Sequence, residues 1–202
     1  MIEVGLFAED LGHSSILRPL MQRLSEEAGV GIRVSVRNSG GGIGTALSQL
    51  RQYTTDLANG IDRFLQVLVV AIDANCDGFN ERRRMIQERV GELFAGLVVP
   101  AIPDPHIEKW YLADPGAVAA ALGEDGVADV PAVKCERSTY KTALRDAFLR
   151  HDVDPPAGGI EFGNEIVQAM DLTVARRHGD FDAFTDTFMA ALVQLQGSAS
   201  SS

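Results

Sequence analysis

Cysteine is scarce, with two in 202 residues. Cys76 and Cys135 stand in unrelated contexts without metal-ligand spacing, which argues against a disulfide scaffold and points to a reducing compartment. The four histidines, His13, His106, His151 and His178, also lack zinc-type spacing and read as ordinary surface or loop residues. No Gly-x-Ser-x-Gly elbow occurs, so serine-based hydrolysis has no support. No apolar run approaches the length of a bilayer span, and the first apolar run is entered without a basic n-region; the expectation is a cytoplasmic protein with no membrane association. Basic residues are outnumbered, 18 Lys and Arg against 28 Asp and Glu, giving a formal net charge of −10. That balance opposes non-specific binding to nucleic acid, so such a substrate requires a local basic patch, metal ions or a partner. A nuclease is not thereby excluded.

What is present is a hydrophobic fraction of 46%, enough for one good-sized domain or for one domain with a helical appendage. Residues 197–202, with their run of serines, read as an unstructured tail. The chain is organised around residues 68–78, LVVAIDANCDG. A short run rich in valine and isoleucine that leads straight into Asp73, Asn75 and Asp77 predicts a buried parallel strand ending in polar side chains. In an open parallel sheet the ligand crevice lies beyond the carboxyl ends of the strands, where these three residues are placed to offer oxygens to one cation. The competing reading is a capped turn, with Asp77 or Asn80 starting the next helix.

Before this strand, residues 2–8 predict a first strand with Glu9 and Asp10 at its end. Ser14 or Ser15 is expected to cap a helix whose Ile16, Leu17, Leu20, Met21 and Leu24 share one face. Residues 32–36 predict a second strand, and the glycine-rich SGGGIG at 39–44 precedes another helix. That loop reads either as a tight turn or as a phosphate cradle, and it lacks the lysine and serine or threonine of a P-loop. After the central strand, residues 80–93 predict an amphipathic helix with an exposed basic face at Arg82, Arg83 and Arg84, either a solvated surface or a phosphate contact. Residues 97–102, LVVPAI, predict a fourth strand, whose Pro100 fits an edge or a strand end better than a central ladder position. In PDPHIEKWYLAD, which follows, Glu108 either caps a helix or faces the crevice of Glu9 and Asp73. The remainder is helical in period and broken by glycine and proline. The expected fold is α/β, a TOPRIM/Rossmann-like parallel sheet of about four strands flanked by helices. The sheet domain spans residues 1–115, and a helical C-terminal part, 116–196, packs on it.

A glutamate after the first strand, an Asp-x-Asn-x-Asp after the third and a Glu-x-x-Tyr-Leu-Ala-Asp after the fourth resemble the TOPRIM module of topoisomerases, primases and OLD-type nucleases. The order of the blocks VGLFAEDLGHSSILRPL, RNSGGGIG, VVAIDANCDGFNERR, IPDPHIEKWYLAD, STYKTALRDAF and GGIEFGNEIVQAMDL resembles an uncharacterised bacterial TOPRIM-like family, whose members are suspected to work beside ATPases in anti-phage defence. The resemblance implies that Glu9 is a general acid or base or a metal ligand, and that Asp73 is the principal Mg2+ (or Mn2+) ligand. Asn75 stands where the family has a second aspartate; its amide oxygen can coordinate but brings no charge, and Asp77 is placed to compensate. Glu108 and Asp114 match a further acidic block, of structural or catalytic role. The implied chemistry is phosphodiester cleavage, with Arg82, Arg83 or Lys141 neutralising flanking phosphates. Two other classes stay open: an inactive or regulatory TOPRIM-like subunit docked on an ATPase, and a nucleotide- or phosphate-binding α/β module. The sequence does not fix the oligomeric state or the choice among DNA, RNA and small phosphoesters.

Overall fold

The hydrophobic runs form four parallel strands, β1 (Ile2–Ala8), β2 (Ile32–Asn38), β3 (Val67–Ala71) and β4 (Val98–Ala101), in the order β2-β1-β3-β4. This computed structural model describes residues 1–75, 77–94, 96–132, 136 and 138–199. The strands are joined by α1 (Leu11–Glu27), α2 (Gly42–Ala58) and α3 (Phe79–Val90). From β1 the chain steps outward to β2, and from β3 it steps the opposite way to β4. Right-handed crossovers then put α1 on one face of the sheet and α2 and α3 on the other. All five residues of β3 are buried, as a strand covered on both faces requires. β1 sends Val4, Leu6 and Ala8 into the α1 side and Phe7 into the other. Pro100 lies in edge strand β4, where its missing N–H breaks no ladder bond of a central strand.

The regular elements of the remaining described chain are helices, among them α4 (Glu108–Tyr111), α5 (Ala117–Ala121), α6 (Thr139–Leu149), α7 (Gly163–Ala169), α8 (Leu172–Ala175) and α9 (Gly179–Ala199). α1 leaves the β3 and β4 side of its face uncovered, and this segment completes the layer, with α9 against β4 and α7 against α1. The apolar cluster is continuous from Val4 and Ile16 to Trp110, Phe148, Phe184 and Leu192. α7 approaches α1 so closely that a Cβ on Gly163 would lie 2.4 Å from the Ser15 carbonyl oxygen.

Three expectations are corrected. The first helix is capped by Asp10, whose backbone is extended and whose carboxylate accepts the His13 N–H; it therefore starts at Leu11, not at Ser14 or Ser15. Arg82 is not on an exposed face. It lies in register with Ile86 and Val90 and is 1% exposed. Residues 197–199 are not an unstructured tail but continue α9, and the Ser198 hydroxyl donates to the Gln194 carbonyl one turn back. Residues 200–202, Cys76 and Cys135 lie outside the described residues.

One contact ties the C-terminal helix to the loop after β4. Asp180, near the start of α9, accepts from the Asp104 N–H (2.9 Å), the Trp110 Nε1–H (2.8 Å) and the Lys109 ammonium (3.0 Å). Burial raises the Asp180 pKa, but these donors outweigh it and hold the carboxyl below the ordinary range. Its stabilisation is therefore present above the unfolded-state carboxylate pKa and is lost as pH falls through the depressed folded value. Asp180→Ala is expected to lower unfolding free energy by about 2 kcal/mol at neutral pH, by loss of charge-assisted hydrogen bonds. In urea titrations the difference from wild type should shrink at acid pH.

Candidate metal centre

The strand order reverses between β1 and β3, and the carboxyl ends at that point are where an open α/β sheet leaves its crevice. Glu9 follows β1 directly. Its N–H donates to the Ala71 carbonyl, and its own carbonyl accepts from the Gly40 N–H and the Ser39 hydroxyl. The 39–44 turn, with Gly40, Gly41 and Gly42 all at positive φ, thus fixes the Glu9 backbone. Beyond β3, the Ala74 and Asn75 N–H groups donate to the Pro103 and Pro105 carbonyls, tying the two loops together. Arg82 holds the same loop from below, donating from Nε to the Asp73 carbonyl (2.8 Å) and from Nη2 to the Ala74 carbonyl (3.2 Å) and the Asp77 carboxylate (3.0 Å). The Asp73 N–H donates to the Glu9 carboxylate at 3.1 Å. The two acids are thereby joined across the switch point.

Two histidines meet Asp73 there. His13, in the first turn of α1, is completely buried; its Nδ1 is 2.8 Å from Asp10 Oδ1 and its Nε2 is 3.0 Å from Asp73 Oδ1. His106 Nδ1 is 3.1 Å from Asp73 Oδ2. Burial opposes the His13 charge, but Asp73 and Asp10 outweigh it and push the imidazole up to about 10 in the metal-free protein. Burial likewise opposes the Asp73 charge, yet the two histidines hold that carboxyl at about 2. The bond from Asp73 raises His106. Burial, and after it the Asp73 charge, raise Glu9, while burial raises Glu108.

Glu9, His13 and Asp73 form a group able to hold a metal ion, with their ligand atoms within 4.8 Å of one another. The fit rests on more than acidity. His13 Nε2 and Asp73 Oδ1 are both buried and touch without the alignment of a hydrogen bond, and among the described residues neither has another hydrogen-bond partner. In the metal-free protein the Nε2 proton of the charged imidazole lies in this contact, and a cation that displaced it would meet one nitrogen and one oxygen ligand.

The other sequence-predicted residues are distributed around this group. Asn75 sits in the turn at φ 50°, and Asp77 is turned to Arg82. Glu108 is buried, with one oxygen 3.7 Å from the Lys141 ammonium and the other without a hydrogen-bond partner among the described residues. Asp114 accepts the Gly116 and Asp171 N–H groups, which fastens α8 to the turn before α5. Arg83 is exposed beside Val98 and Pro100, at the β4 edge. His13 is not the surface or loop residue its spacing suggests but a fully buried residue of α1, while His106 does lie in a loop, and both flank Asp73. The available signal for His13 was Asp10, three residues earlier and one helical turn away. No helix among the described residues is long and apolar enough to cross a membrane. Comparison with protein-family models, with curated proteins and with solved structures finds no match.

Proposed function

We propose that this chain is a divalent-cation-dependent phosphodiester hydrolase of nuclease type, a TOPRIM-like effector that works beside an ATPase in anti-phage defence. The observation that carries this reading is the convergence of Glu9 and Asp73, from the ends of β1 and β3, with His13, their ligand atoms lying within 4.8 Å of one another. A bound Mg2+ or Mn2+ supplies charge stabilisation at the phosphoryl oxygens and a water of lowered pKa. Asp73 is preset for this by Arg82 and by the Glu9 bond to its N–H. Lys141, largely exposed and 3.7 Å from the Glu108 carboxylate, is the side chain best placed to meet a phosphate. Of the other two proposed phosphate contacts, Arg82 is committed to the loop and Arg83 lies at the β4 edge.

A second reading is favoured by one observation. His13, as a cation between Asp10 and Asp73, neutralises the acids without a metal, which suits a TOPRIM-like regulatory subunit of an ATPase. In the 39–44 loop the Ser39 and Gly40 amides donate to the Ala8 and Glu9 carbonyls, so the phosphate-module reading rests on the amides that open α2. To separate the first two, metal-stripped protein is assayed with and without Mn2+ or Mg2+ on single- and double-stranded DNA, RNA and an aryl phosphodiester. Turnover is expected only with cation and is expected to fall at least 100-fold in Glu9→Gln. Turnover that survives Glu9→Gln would contradict the hydrolase site.

A further inference from the structure

Resting on the cation site just proposed, we infer that His13 is itself a ligand, through Nε2, oriented by Asp10, and that the centre takes a first-row transition ion such as Mn2+, Fe2+ or Zn2+ in preference to Mg2+. The geometry supports each part of this. His13 Nδ1 and the Asp10 carboxylate are 2.8 Å apart, which fixes the ring and directs Nε2 at the crevice. A carboxylate behind a ligating imidazole in this way sets the tautomer and strengthens the ligand. The same Asp10 oxygen also accepts the His13 backbone N–H at 3.1 Å, so ring and helix start are positioned by one residue. The Tyr111 hydroxyl donates to the Gly12 carbonyl at 2.7 Å and holds the turn that carries His13. The ring is fully enclosed.

The contact of His13 Nε2 with Asp73 Oδ1 is 3.0 Å, and the pair is not aligned as a hydrogen bond. Adjacent ligands of an octahedral ion with bonds of about 2.1 Å are separated by about 3.0 Å, so the pair already has the spacing of one edge of such a polyhedron. Glu9 supplies a third ligand atom within the 4.8 Å span of the group. One imidazole among carboxylates disfavours Mg2+, which prefers oxygen ligands and gives up its waters reluctantly. Transition ions accept nitrogen and oxygen together.

The test uses the full chain, stripped of metal, titrated by calorimetry with Mn2+, Co2+, Zn2+ and Mg2+. Manganese-loaded protein is also examined by electron spin-echo spectroscopy for nitrogen coupling. Mn2+ or Co2+ is expected to bind at least tenfold more tightly than Mg2+, with an imidazole nitrogen signature in the spectrum. His13→Gln should abolish the nitrogen signal and level the preference. Should His13→Gln fail to fold, Asp10→Ala keeps the ring and is expected to cost about tenfold in Mn2+ affinity, at the lower end of outer-partner effects. Mn2+ bound without nitrogen coupling, or Mg2+ and Mn2+ binding equally in wild type, would overturn the inference and leave the carboxylate site standing. No binding of any cation would overturn both.

Discussion

Asp73→Ala is expected to abolish saturable cation binding and to lower the stability of the metal-free protein by roughly 2 kcal/mol at neutral pH. The energetic part follows from the position of Asp73 between His13 and His106, which holds its carboxyl at about 2 against an ordinary 3.8. A carboxylate with a depressed folded pKa stabilises above the unfolded value, and that stabilisation disappears as pH falls toward 2. The gap between wild type and variant should therefore be full at pH 7 and nearly closed near the folded pKa of about 2. The same pair seen from His13 weakens as pH rises through about 10, where the imidazole loses its proton. Urea unfolding followed by the single tryptophan, Trp110, which is buried, reads both limbs. A variant as stable as wild type at pH 7 would show that the Asp73 network contributes nothing to folding.

Arg82→Met should cost about 3 kcal/mol, because the change leaves the Asp73 and Ala74 carbonyls of a packed loop without their donor and removes the partner of Asp77. Methionine fills much of the volume, so the loss reports hydrogen bonding more than a cavity. Cation affinity should fall tenfold or more at the same time, since Arg82 fixes the backbone from which the Asp73 carboxylate projects. Arg83→Met is the control: its side chain is exposed, and a stability change within about 0.5 kcal/mol is expected. Parallel urea and Mn2+ titrations of both variants check this. Equal behaviour of the two would remove Arg82 from the account.

β3 was legible because a strand buried on both faces must be an unbroken apolar run, and the chemistry of such sheets lies where the run ends. Glu9 and Asp73 follow from that rule alone. His13 was not legible for a local reason. With the helix started at Ser14 or Ser15, His13 falls in a loop; with Asp10 as the cap it becomes the third helical residue and turns back over the strand ends. Spacing did hold the sign for Arg82, which falls four and eight residues before Ile86 and Val90 on the buried face. The composition of the arginine triplet pointed the other way. Asp77 and Asn75 share the alternation of Asp73, but the chain leaves the strand at Ala71 and turns, so alternation no longer aims their side chains together.

The helical period of the C-terminal segment was plain, while its role was not. Periodicity marks an apolar face without naming what covers it. Here the covered surface is the half of the sheet that α1 does not reach, and Asp180 joins α9 to the loop carrying His106 and Glu108. A partner engaging α9 would therefore touch an element bonded directly to the rim of the crevice.

The most direct test of a cation site at the β1 and β3 switch point is calorimetric titration of the metal-stripped protein with Mn2+, for wild type, Glu9→Ala and Asp73→Ala. One saturable site in wild type that both substitutions eliminate is the predicted result. Wild-type binding that persists unchanged in Asp73→Ala, or an absence of binding in folded wild-type protein, would contradict it.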